Sequence, residues 1–148
     1  MFRLASGRGI ILKSDREIDL IRQAGRVVFH VLSRMKEATR PGVTTAELNT
    51  IAEKMIDDAG AIALFKGVEN PQAKCQFPAA LCTSVNEELV HGIPSNRPLR
   101  EGDVVSIDCG VRLNGYCGDS ATTLPVGKVS PEATRLLEVT SGALDVAI

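Results

Sequence analysis

Tryptophan is absent and tyrosine occurs once, so the chain lacks the aromatic planes on which single-stranded nucleic acid stacks. Neither sign of charge dominates, with 17 Lys and Arg against 18 Asp and Glu. That balance excludes the electrostatic footprint of a nucleic-acid or anionic-membrane binder. No apolar run approaches the length of a transmembrane helix, and the stretch Met1–Gly9 has no apolar core of the signal-peptide kind. Cys75, Cys82, Cys109 and Cys117 form no CxxC or Cys/His spacing, which excludes a zinc knuckle and a redox dithiol. Scattered thiols of this kind fit a reducing compartment, the cytoplasm. Repeats and low-complexity segments are missing too. What remains is 148 residues, enough for one domain with its own core.

Within that plain background, Ser106–Ser120 carries the densest information. Asn114-Gly115 is the strongest short signal for a two-residue type I′ hairpin turn, because both central residues need positive φ. With that turn, Leu113 pairs with Tyr116, Asp108 lies opposite Ala121 and Asp119 opposite Gly110. Side chains alternate faces along a strand, so Asp108 and Asp119 become diagonal neighbours on one face, about 7–8 Å apart at the backbone. Two aspartates on a hairpin are more often solvated or salt-bridged than functional. Here Val104, Val105, Ile107 and Val111 read as an arm that is apolar on both faces, which puts Asp108 in a buried-type strand. A buried carboxylate needs compensation, and a bound cation supplies it. Arg112 points to the same face but lies too far along the strand to pair with Asp108.

Elsewhere the chain is punctuated by caps and breakers. Residues 1–13 read as an arm ending in Ile10-Ile11-Leu12. Ser14 with Glu17 forms a capping box that opens a helix with the apolar stripe Ile18, Ile21, Ala24, Val28, Val31, Leu32 and Met35. Pro41-Gly42 ends it. Thr44 with Glu47 opens a second helix, whose face is Leu48, Ile51, Ala52, Met55 and Ile56, and Gly60 stops it. Ala61–Phe65 and Ala79–Val85 are strand-like, followed by the two hairpin arms. Ser130-Pro131-Glu132 starts a third helix, whose apolar series Leu136, Leu137, Val139, Leu144 and Ile148 carries no stop signal and reads as a helix interrupted at the last residue. The fold class is α/β (α+β), with helices packed on one face of a mostly antiparallel sheet.

The histidines are His30, inside the first helix and read as a packing or surface residue, and His91, in Asn86-Glu87-Glu88-Leu89-Val90-His91-Gly92-Ile93-Pro94. Four segments, Leu81–Glu87, Val90–Pro94, Gly102–Asp108 and Gly115–Ser120, together resemble the type I methionine aminopeptidases over nearly the whole chain. The resemblance implies half of a "pita-bread" fold, the amino-terminal one, comprising residues 14–148.

The same resemblance implies a dinuclear site for two divalent ions (Co2+, Mn2+, Fe2+ or Zn2+) that removes the initiator methionine from new proteins. Residue by residue, it places Asp108 and Asp119 among the metal ligands, Asp119 as the bridging one. It makes His91 a substrate-contacting catalytic residue, and Phe77 and Cys82 walls of the methionine side-chain pocket. Lys74 stands where the family commonly has an aromatic pocket residue. The family's remaining ligands, one His and two Glu, belong to the second half of the fold, and no residue after Asp119 here matches them. The implied partner is the N-terminal methionine of nascent polypeptides close to the ribosome, with no membrane or nucleic-acid partner and a monomeric complete enzyme. The rival readings are a proline-specific aminopeptidase of the same fold and a binding module that kept the fold without catalysis. This chain by itself is expected to bind divalent ions weakly and to release little methionine.

Overall fold

The computed structural model describes residues 10–70 and 75–148. Its elements run α1 (Asp15–Ala38), α2 (Thr45–Asp58), β1 (Ile62–Ala63), β2 (Glu69–Asn70), β3 (Cys75–Gln76), β4 (Leu81–Val85), β5 (Val104–Leu113), β6 (Tyr116–Pro125) and α3 (Pro131–Ala147). Both expected capping boxes are formed. Ser14 and Glu17 satisfy each other's backbone N–H at the start of α1, and Thr44 and Glu47 do the same for α2, which relieves unpaired donors of the first turn. No helix among the described residues is long and apolar enough to cross a membrane.

The sheet is built around β5. β6 pairs antiparallel along its whole length on one side, and β4 and β1 follow one another along the other side. Asn114 and Gly115 take φ of 52° and 85°, and the register is the expected one, with Leu113 opposite Tyr116, Asp108 opposite Ala121 and Gly110 opposite Asp119. Helices α1 and α2 cover one face. Ala24, Val28, Val31 and Met35 of α1 and Leu48, Ala52 and Ile56 of α2 pack there with Leu81, Val105, Ile107, Cys109, Val111 and Leu124. Contact is closest where α1 crosses β6. A methyl group added to Gly118 would lie 2.6 Å from the Gly25 nitrogen, so only a residue without Cβ lets the two backbones meet.

Several expectations are corrected. The β5 arm is apolar on one face only. Val105, Ile107, Cys109 and Val111 are wholly buried, while Ser106, Asp108, Gly110 and Arg112 alternate onto the face that α1 and α2 leave open. Ile18 and Ile21 of the α1 stripe are exposed. The Ala61–Phe65 run is a strand only at Ile62–Ala63, and the short β2–β3 ladder was not foreseen. None of the residues of α3 is buried; it borders the open face beside Val104, Ser106 and Thr123, leaving Leu136, Val139 and Leu144 exposed. Of the expected arm, residues 10–13 lack regular structure and Ile10, Ile11 and Leu12 are exposed; the rest lies outside the described residues, as does Lys74.

Candidate metal centre

Asp108 occupies the middle of the open face. On β5 it stands between Cys82 of β4 and Ala121 of β6, with Asp119 opposite Gly110 one step further along. Residues directly opposite in an antiparallel pair share a face, so the ladder sets Cys82, Asp108 and Asp119 together. Asp108 is half-buried and its Oδ1 is buried with no hydrogen-bond partner. Burial raises its carboxyl above its ordinary value, the negative charge of Asp119 adds to the rise, and the Cys109 N–H and His91 offset part of it. Thr83 Oγ1 is the other orphaned buried atom among the described residues, but it is a neutral hydroxyl. An ionisable oxygen without a partner is far costlier to leave uncompensated.

The Cys82 thiol is buried, and desolvation together with Asp108 and Asp119 pushes it up to about 11. It therefore stays protonated near neutral pH, a soft thiol rather than a thiolate. On the core face, burial and the same two aspartates push the Cys109 thiol up to about 12.

His91 belongs to a clamped loop. Asn86, Val90 and His91 have φ of 56°, 40° and 49°, a concentration of left-handed non-glycine residues that persists only where the surroundings impose it. The surroundings do so at both ends. Asn86 Nδ2 donates to Asp103 Oδ1 at 2.9 Å, the Val104 N–H donates to Asn86 Oδ1, and the Asn86 N–H donates to the Val104 carbonyl. Next to His91, the Gly92 N–H donates to Ser84 Oγ at 3.1 Å and the Thr83 N–H to the Gly92 carbonyl at 2.8 Å. A methyl group on Gly92 would fall 2.2 Å from the Thr83 carbonyl oxygen. His91 is thus tied beside β4, next to the strand position of Cys82, and it bears electrostatically on Asp108. Phe77 is half-buried at the base of the β2–β3 ladder, where its backbone exchanges hydrogen bonds with Gly67 and Val68. His30 is exposed and packs edge-on against Phe29, away from this face.

Sequence reasoning missed the Asn86–Asp103–Arg97 network, the Ser84–Gly92 contact and Phe65, whose ring lies over Gly110. The Gly in His91-Gly92-Ile93-Pro94 was a usable signal for the second; the others join residues far apart in the chain. Among the described residues no three His, Cys, Asp or Glu side chains gather into a metal-binding cluster. The donors are a carboxylate pair with one orphaned oxygen, a set that suits a hard divalent ion needing further ligands.

The sequence pattern of metallopeptidase family M24 matches residues 19–148. The chain belongs to this family. The M24 chain is 50% identical over 132 residues to the methionine aminopeptidase of Clostridium acetobutylicum, covering 88% of this chain and 50% of that protein. It is 49% identical over 135 residues to methionine aminopeptidase 1 of Bacillus subtilis, with 91% and 52% covered. The crystal structure of methionine aminopeptidase from Thermotoga maritima superposes with a TM-score of 0.85 at 33% identity, covering 95% of this chain and 54% of that one. The M24 chain therefore spans about half the length of these relatives.

Proposed function

We propose that residues 14–148 form the amino-terminal half of a methionine aminopeptidase catalytic domain, in which Asp108 and Asp119 hold divalent cations and His91 contacts the substrate. The observation that carries this reading is the buried, unpartnered Oδ1 of Asp108 facing a second carboxylate. Such an arrangement destabilises the free chain and is relieved by a cation. High identity to relatives named methionine aminopeptidase favours this reading over the proline-specific one.

The chain's own contribution is geometric. The hairpin presents two carboxylates from a rigid pair of strands. The neutral Cys82 thiol offers a polarizable wall suited to a methionine sulfur, with Phe77 proposed as a second wall. The clamped Val90–Gly92 segment holds His91 where an imidazole N–H can donate to a substrate peptide group. Divalent cations (Mn2+, Co2+, Fe2+ or Zn2+), when bound, supply Lewis acidity toward a carbonyl and toward water. The remaining ligands, one His and two Glu, are those of the other half of the fold, and the substrate is the N-terminal methionine of nascent polypeptides in the cytoplasm, near the ribosome.

The test has two arms. Mn2+ titration of the purified chain is expected to show weak binding that Asp108→Asn and Asp119→Asn each abolish. A chimera in which residues 19–148 replace the matching half of the Clostridium acetobutylicum enzyme is expected to release methionine from a Met-Ala-Ser peptide. A folded, Mn2+-loaded chimera without turnover would overturn the reading.

A further inference from the structure

Gly110 is the one residue of the β5 open face that is fully buried, although it has no side chain to bury. Two side chains close over it. A methyl group built on Gly110 would lie 2.9 Å from Asp119 Oδ2 and 3.1 Å from Phe65 Cε1 and Cζ. Phe65 reaches this spot because β1 pairs Ala63 with Val111 and the Leu64 N–H then donates to the Gly110 carbonyl at 2.9 Å. At Gly92 and Gly118 an added methyl would strike backbone atoms, whereas at Gly110 it would strike only the far ends of side chains. Glycine weakens a strand interior, and an aromatic ring laid over it recovers part of that loss. The space above Gly110 is therefore shared between a ring and a carboxylate.

We propose that Gly110 and Phe65 form a matched slot that positions the Asp119 carboxylate, drawing it across from β6 onto the β5 row that carries Asp108. Without a Cβ at 110 the carboxylate rests over the neighbouring strand, and the ring bounds it on one side. A methyl at 110 displaces the carboxylate first, because a side-chain end gives way before the backbone does. The fold suffers little, since alanine suits a strand interior better than glycine. Gly110 and Phe65 are thus positioning residues, and their use by a cation rests on the function proposed above.

The metal-free chain gives a readout independent of that function. In NMR spectra the Gly110 Hα resonances are expected upfield, under the Phe65 ring, and Phe65→Leu returns them to ordinary strand values. Gly110→Ala is expected to move the Asp119 carboxyl 13C resonance more than that of any other aspartate, at unchanged or raised thermal stability. With Mn2+ as probe, Gly110→Ala weakens binding about tenfold, and adding Phe65→Leu to it restores most of the affinity by making room for the methyl. A merely structural role for Gly110 predicts a change in stability without this reversal. An unmoved Asp119 resonance with wild-type Mn2+ affinity in Gly110→Ala overturns the slot. If the unaltered chain binds no Mn2+, the cation reading falls, and the Asp119 resonance alone decides the slot. Should Gly110→Ala fail to fold, an unchanged Asp119 resonance in Phe65→Leu overturns it.

Discussion

Asp103 and Asp108 lie five residues apart, and the structure treats them in opposite ways. Burial alone would raise the Asp103 carboxyl, but hydrogen bonds from Asn86 Nδ2, the Arg100 N–H and Arg97 outweigh it and hold the group below its ordinary value. Asp108 is also desolvated, yet its buried oxygen has no donor and the negative charge of Asp119 repels it, so its carboxyl is raised. One aspartate is a finished structural joint. The other is an unfinished one, stable only in so far as the rest of the domain carries its cost. The same residue type is scaffold where it is satisfied and, where it is not, the cation ligand proposed above.

The largest expected effect breaks the finished joint. Asp103→Ala leaves the Asn86 amide, the Arg100 N–H and the Arg97 guanidinium without their acceptor and is expected to cost about 2–3 kcal/mol, read from urea unfolding. Loosening of the Asn86–Gly92 loop should accompany it, as faster amide exchange at Asn86 and Gly92. The sign of its pH dependence follows from the lowered carboxyl. The stabilisation is present above the unfolded-state pKa and is lost as pH falls through the lower folded-state value. An acid titration of stability should therefore separate the variant from the parent at neutral pH and bring them together in acid.

A smaller loss is expected at the other end of the loop. Gly92→Ala forces a methyl against the Thr83 carbonyl oxygen and is expected to cost about 1–3 kcal/mol, with thermal melting as the measurement.

Asp108→Asn should change stability in the opposite direction. Replacing a desolvated carboxylate by a neutral amide is expected to stabilise the metal-free chain by about 1 kcal/mol near neutral pH. Because the folded-state carboxyl is raised, the charged form is what destabilises, so the gain should shrink as pH falls through that raised value and the parent becomes protonated. A loss of stability in Asp108→Asn would erase the contrast between the two aspartates. The smallest effect sharpens the division of roles. His91→Ala should leave Mn2+ affinity of the chain unchanged while impairing turnover of the chimera, since His91 is proposed to meet substrate rather than metal.

Features whose interactions close within a few residues were legible in the amino-acid order. Ser14 with Glu17, Thr44 with Glu47, and Ser130 with Pro131 placed three helix starts, because a cap is an interaction over three residues. Asn114-Gly115 set the turn, and strand periodicity then determined that Asp108 and Asp119 share a face. Even the pairing of Asp108 with Ala121 followed from the turn alone. Tertiary structure decided the rest. Whether one or both faces of β5 are covered depends on where α1 and α2 land, so the valines around Asp108 could not reveal that its own face is open. The Asn86–Asp103 joint, the seating of Gly92 on Ser84 and the Phe65 ring above Gly110 bring together residues separated by long stretches of chain. Burial of the Asp108 oxygen is likewise a property of its packed surroundings. Hydrogen bonds and sterics between near neighbours write themselves into sequence, whereas desolvation is the sum of everything that packs around a group and exists only once the chain has folded.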